Sequence, residues 1–240
     1  MTASTITTPI RAPRGLRRQV FATALLLLPL LVGCFHGRLP ARELYRLRLP
    51  ENADTSPIQD HDGGTLPTAT LAIVPYVAPG MYGDRSIVFR IDESEYGAYP
   101  NREWALPVPT MLGMLTEDVL RRRPITAEQA VFDPPSPHNY TYIWRGLVRE
   151  LEEVDRGRDV FAAVRLDARL VRASDDSVIW TGTARVERRV PSPSMTAIVD
   201  TLSQLTAEAV SQLLETARAA LLIPAASAVR ARRPDAVDRS

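Results

Sequence analysis

The chain has 240 residues, 45% of them apolar and 24% charged, with a formal net charge of +1. That length supports one substantial core or two small ones, and a charge so near zero excludes a general nucleic-acid binder, which carries a clear basic excess. The single cysteine excludes an intramolecular disulfide framework and a cysteine-rich metal site, and the absence of lysine excludes Schiff-base and P-loop lysine chemistry.

Residues 1–20 carry Arg11, Arg14, Arg17 and Arg18 and no acid, and the apolar run Phe21–Val32 follows. Twelve helical residues reach only about 18 Å, well short of the ~30 Å hydrocarbon core, so the run reads as the h-region of an export signal and not as a membrane span. Its end, Leu31-Val32-Gly33-Cys34, resembles the lipobox of bacterial lipoproteins. That resemblance implies cleavage between Gly33 and Cys34, a diacylglycerol on the Cys34 sulfur and an acyl chain on the new amine. No other cofactor is expected. Residue 35 is phenylalanine and not the aspartate that retains enterobacterial lipoproteins at the inner membrane, which by analogy directs the protein to the periplasmic face of the outer membrane. Arg17-Arg18-Gln19-Val20-Phe21 also looks like a twin-arginine signal, so Sec and twin-arginine export both stay open. Removing residues 1–33 leaves the mature chain at −3, and setting aside the tail from Ala225 leaves residues 34–224 at −5.

Residues 34–42 read as a short tether. Ten residues from Cys34 to Leu44 span at most about 35 Å, which keeps the domain close to its membrane. Glu43–Leu49 alternates and predicts a first strand. Pro50–Pro67 reads as a polar loop, and Thr68–Val77 as a β-rich run whose Pro75 end lies at a sheet edge. Ser86–Ile91 predicts another strand, while the tyrosine-bearing stretch Asp92–Glu103 reads as a loop before Trp104. A helix is predicted over Pro109–Arg122, with Met111, Leu112, Leu115, Val119 and Leu120 inward. Three strands, Thr141–Val154, Arg158–Arg172 and Ser177–Val190, form an antiparallel meander closed by hairpin turns. In the middle strand, Val160, Ala162, Val164, Leu166, Ala168 and Leu170 make one apolar face. The helical spacing of Ile198, Leu202, Leu205, Ala209, Leu213 and Leu214 predicts a last helix over Ser194–Leu222, packed on that face. Residues 43–222 thus read as a single domain and 223–240 as a disordered tail.

No enzyme chemistry stands out. His36, His61 and His138 lack metal-site spacing and read as solvated loop residues, and no Gly-rich phosphate cradle is present. Glu150, Glu152, Glu153 and Asp155 read as a solvated hairpin rim and not as a cation site. Trp144 and Trp180 read as core. Tyr82, Tyr96 and Tyr99, in the loops flanking the Ile87 strand, and Trp104 before the helix are the candidate contact residues.

The order of elements resembles the ABC-type transport auxiliary lipoproteins, PqiC-like partners of MCE-type lipid transporters. The residues that carry the likeness are Cys34, Tyr45-Arg46-Leu47, Ala72–Val77, Ile87–Arg90, Tyr96, Tyr99, Trp104, Val178–Gly182 and the closing helix through Leu202–Leu214. The resemblance implies an α/β (α+β) domain with a mixed, mostly antiparallel sheet covered by two helices. It implies a non-enzymatic subunit on the outer membrane, docked to an MCE-type substrate-binding protein and its ABC transporter, in a family whose members can form homo-oligomeric rings. Nucleic acid is not expected as a partner. A structural or assembly lipoprotein of the envelope, lipopolysaccharide-assembly-like or cell-wall-associated, is the alternative.

Overall fold

The computed structural model describes residues 41–51, 65–92 and 94–222. The export signal, Gly33, Cys34, His36, His61 and the tail from residue 223 lie outside the described residues. The chain runs β1 (Glu43–Tyr45), β2 (Leu71–Ile73), β3 (Ser86–Ile91), β4 (Glu95–Trp104), α1 (Val108–Arg122), β5 (Val131–Phe132), β6 (Tyr142–Arg156), β7 (Asp159–Arg172), β8 (Val178–Arg189) and α2 (Met195–Leu222).

The strands form one mixed sheet with β6 at its centre. β7 pairs antiparallel with β6 from Tyr142↔Arg172 to Arg156↔Asp159, and β8 continues the meander. The other edge of β6 is shared. Leu71–Ile73 of β2 pairs parallel with Tyr142–Trp144, and Val88–Ile91 of β3 pairs parallel with Glu152–Asp155. β5 flanks β2, and β4 with β1 flanks β3. Four of the seven pairings are parallel, but each is only a few residues long, so the sheet remains antiparallel over most of its length.

Alternation sets the two faces of the meander. Ala162, Val164, Leu166, Ala168 and Leu170 are buried on one face, whereas Arg165 and Arg169 are exposed on the other. Helix α2 lies across β7 and β8 on the apolar face and touches α1, which covers β2 and β5. The expected inward residues of both helices are buried. Pro109 sits in the first turn of α1, where no intrahelical bond is lost, and Ser194 Oγ accepts the Ala197 N–H at 3.3 Å to cap α2. The meander turns use residues in the left-handed region, Gly157 (φ 65°) and Asp176 (φ 52°).

Three local readings change. β1 stops at Tyr45, and Leu47 turns into the core. β2 shrinks to three residues: beyond Ile73 it leaves β5, and Val77 returns to β6 as an isolated bridge to Leu147. Asp92–Glu103 is not a loop, because β4 folds back on β3 as a hairpin and pairs with β1 on its other side. Half of β4 is exposed, with exposed residues on both faces, so it carries no apolar alternation to read.

A buried relay ties three elements together. Trp144 Nε1–H donates to Tyr76 Oη at 3.1 Å, and the Tyr76 hydroxyl lies 2.8 Å from Thr116 Oγ1, which itself donates to Leu112 O at 2.8 Å. With the Thr116 proton used on Leu112, Tyr76 is the donor to Thr116. The Tyr76 ring lies directly on Gly146, where a Cβ would overlap it. Tyr76→Phe is expected to cost about 1–3 kcal/mol by orphaning the indole N–H. Gly146→Ala is expected to cost a similar ~1–3 kcal/mol by displacing the ring. Shifts of the denaturant midpoint at constant m-value check both.

Candidate functional site

The candidate contact tyrosines converge on the C-terminal half of β6. Its adjacent residues Glu152 and Glu153 point to opposite faces of the sheet, as successive strand residues must. Glu152 has no solvent exposure, and Glu153 is 4% exposed, so neither belongs to a solvated rim. The reason is β3, which returns from far upstream in sequence to pair alongside them.

On the open face, Arg90 of β3 donates from Nε to Glu152 Oε1 at 2.7 Å, and Tyr82 Oη donates to the other carboxylate oxygen. Tyr82 ends the short 3-10 turn Gly80–Tyr82 that leads from β2 toward β3. Arg90 is 7% exposed, its Nη1 donates to Asp92 O at 3.0 Å, and its guanidinium carbon lies 5.8 Å from the Tyr96 ring centroid. Burial, followed by the Glu152 hydrogen bond, pushes the Tyr82 hydroxyl far above its ordinary value, so it stays a donor.

On the other face, Tyr99 Oη donates to Glu153 Oε2 at 2.7 Å. The Tyr99 ring meets Phe89 at 5.2 Å between centroids and 60° between planes, with the Arg102 guanidinium carbon 5.3 Å from its centre. Burial raises the Glu153 carboxyl above its usual range. The Tyr99 bond pulls it back, and neighbouring Asp155 raises it again.

Tyr82 and Tyr99 are therefore half-buried partners of carboxylates, and Tyr96 is half exposed beside Arg90. Trp104 is 1% exposed and packs in the core, so it offers no surface to a partner in this state. Trp144 is fully buried and stacks on Trp180 at 5.6 Å and 23°. His138 lies in a 3-10 turn with Nδ1 3.2 Å from Ala173 O. Among the described residues, no group of three His, Cys, Asp or Glu side chains is placed to hold a metal ion, and no helix is long and apolar enough to cross a membrane. The Arg90–Glu152 pair was not anticipated from sequence. The available signal was an arginine inside the apolar run Ile87-Val-Phe-Arg-Ile91.

The open face of the meander is polar and internally paired. Arg149 Nε meets Asp167 Oδ2 at 2.6 Å, Thr183 Oγ1 meets Asp167 Oδ1 at 2.9 Å, and Arg145 Nη2 meets Asp176 Oδ1 at 2.8 Å. Between them, Val77, Gly146, Leu147 and Ala168 line a shallow groove of about 300 Å³.

The architecture is that of a single-domain α/β protein whose sheet carries helices on one face and a charged, open surface on the other. The family described as "ABC-type transport auxiliary lipoprotein component" matches residues 45–213, and the chain belongs to it. Membership makes it a lipoprotein auxiliary to an ABC transporter and associates it with the cell envelope. Among solved structures, a DUF330-family protein of Xanthomonas campestris is 18% identical, covers 74% of this chain and 95% of its own length, and has a TM-score of 0.61. An uncharacterised protein is 12% identical over 72% of this chain and 95% of its own, with a TM-score of 0.51. At these identities the likeness establishes the fold alone. The comparison with curated proteins found no match.

Two outcomes follow from this geometry. Arg90→Met leaves the Glu152 carboxylate buried without its cation and is expected to destabilise the domain by about 3–5 kcal/mol, read from chemical denaturation. For Glu153, a folded-state pKa raised above 4.5 means the folded chain holds this proton more tightly than the unfolded one. Its stabilising contribution is complete below pH 4.5 and is lost as pH rises through the raised value. Glu153→Gln keeps an acceptor for Tyr99 and removes that loss. The variant is expected to be more stable than the parent at neutral pH, with the gap closing on acidification, in denaturation midpoints measured across pH.

Proposed function

We propose that the chain is an outer-membrane-anchored periplasmic lipoprotein and the accessory subunit of an MCE/ABC-type intermembrane lipid transport system. The family match over residues 45–213 carries this reading, joined to the lipobox that ends at Cys34. The anchor is Cys34, with a diacylglycerol on sulfur and an acyl chain on the amine. Phe35 in place of a retention aspartate supports the outer membrane as its destination. Three acyl chains exceed the two signals that stable anchoring requires.

The role is non-enzymatic. The domain positions and seals, while the ATPase of the transporter supplies the work. Engagement of Glu152 by arginine and tyrosine, and of Glu153 by tyrosine, supports a structural use for the domain's buried carboxylates. The partner is an MCE-type substrate-binding protein extending from the inner membrane, and a ring of copies would continue its apolar conduit to the acceptor leaflet. Tyr96 and the Val77–Leu147 groove are exposed surfaces suited to contact.

Pull-down of the lipidated protein from detergent-solubilised membranes is expected to recover an MCE protein. Recovery of only peptidoglycan-associated or lipopolysaccharide-assembly proteins would favour the envelope-assembly alternative. Cys34→Ser is expected to abolish palmitate labelling and release the protein from the membrane fraction, and continued labelling would refute the anchor. The mass of the purified assembly tests the ring.

A further inference from the structure

One cavity of the domain is walled mainly by arginine. It lies where the segment following β1 passes the C-terminal end of α1 and has a volume of about 410 Å³. Arg46, Arg48 and Leu49 line it from the segment, and Arg121 and Arg122 line it from the helix, with Asp118 as the one acid among the described lining residues. That acid is already engaged, because Arg121 bonds both Asp118 at 2.8 Å and Glu117 at 2.9 Å. Arg48 stands 3.8 Å from Asp200, at the limit of an ion pair. Arg122 reaches only the Pro50 carbonyl at 3.5 Å, and Arg46 has no ion-pair partner among the described residues.

Like charges gathered around one cavity repel, and the arrangement becomes favourable when an anion fills it. The guanidinium fork matches the oxygens of a phosphate and binds them in pairs. The cluster also stands out against its surroundings, since residues 34–224 carry a net charge of −5.

Chain length indicates the source of the anion. Arg42 begins the described domain unit eight residues after Cys34, a reach of at most about 28 Å. Arg46 and Arg48 follow within six residues of Arg42. A basic cluster next to a membrane attachment point is held within range of anionic headgroups, which attract such clusters over roughly a Debye length.

We propose that this cavity takes the phosphate of an anionic lipid headgroup from the leaflet that carries the acyl anchor. The proposal rests on the anchor at Cys34 assigned above. Its consequence is a second point of attachment. A tether alone lets the domain rotate freely over the membrane, whereas a headgroup held between Arg46 and Arg122 fixes which face of the sheet points away from it.

The test uses the lipidated full chain in nanodiscs of phosphatidylcholine alone or of phosphatidylcholine with phosphatidylglycerol, read by amide hydrogen exchange. Exchange at residues 46–49 and 118–122 is expected to slow several-fold in the anionic discs only. The Arg46→Ala/Arg122→Ala variant is expected to lose that slowing, while exchange across the meander stays unchanged as the control for folding. Equal exchange in the two discs, or slowing that survives the double substitution, overturns the proposal. Equivalent slowing in neutral discs on adding inorganic phosphate also overturns it, because the site would then serve the free ion. A chain that enters neither disc refutes the Cys34 anchor, and this proposal falls with it. That failure is distinct from an anchored chain whose cavity shows no protection.

Discussion

The strand β6 can hold this sheet together only if a buried carboxylate on it is fully hydrogen-bonded. On one edge, β6 has a single partner, β7, along its whole length. On the other edge its partner changes, from β2 and the Val77 bridge to β3, and the chain leaves the sheet between them. Glu152 sits on β6 at the start of the β3 pairing, with no access to water. Desolvating a carboxylate costs several kcal/mol, so its two oxygens must find donors inside the protein. Arg90 comes from β3 and Tyr82 from the segment that joins the two partners, so one residue fastens both sides of the break. The same pair fixes register, because a one-residue slip of β3 would carry Arg90 to the opposite face.

Glu153 makes the corresponding attachment on the helix-covered face, using Tyr99 of β4. Adjacent residues of one strand thus anchor two different neighbours on two faces. Among the described residues Glu153 has no ion pair, so burial raises its carboxyl while the Tyr99 bond, and Arg102 acting from farther off, only partly offset it. A tyrosine donor suits such a place. It supplies one hydrogen bond and a ring that packs, here against Phe89, without adding a charge.

These attachments explain what was legible in the sequence and what was not. The meander and both helices were legible, because each buries one face and so prints a period of 2 or 3.6 on the chain. Val160–Leu170 and Ile198–Leu214 are examples, and their burial follows the pattern. β4 prints no such pattern: its pairing is edge to edge on both sides, and its faces carry Tyr96, Ala98, Asn101 and other residues left largely in solvent. The acidic run at Glu150–Asp155 resembled a hairpin rim because its buried state depends on partners 54 to 70 residues away. Local composition cannot encode a partner at that distance. The sequence did place Tyr82, Tyr96 and Tyr99 as functional candidates, but it put them in loops, where the carboxylates that hold two of them were invisible.

The remaining edge of the sheet raises a different physical problem. Among the described residues, β8 pairs with β7 alone, which leaves an outer edge twelve residues long. An exposed strand of that length is a template for another strand, and attachment to a membrane would raise the local concentration of neighbours that could use it. Charges along β8 oppose uncontrolled pairing while binding the strand to its own domain. Arg185 lies 3.3 Å from Glu150, Arg188 2.8 Å from Glu208 of α2, and Arg189 2.5 Å from Asp159. The Arg188 and Arg189 pairs are exposed and each adds little stability by itself. Their value is positional, since a strand arriving at this edge would have to displace or accommodate three guanidinium groups already committed to the parent fold. Gly182, the residue that would leave the edge most open, is covered by the ring of Trp180, which also stacks on Trp144 in the core. The edge is therefore passable only to a partner that matches its charges, and that requirement converts an aggregation hazard into a selective surface.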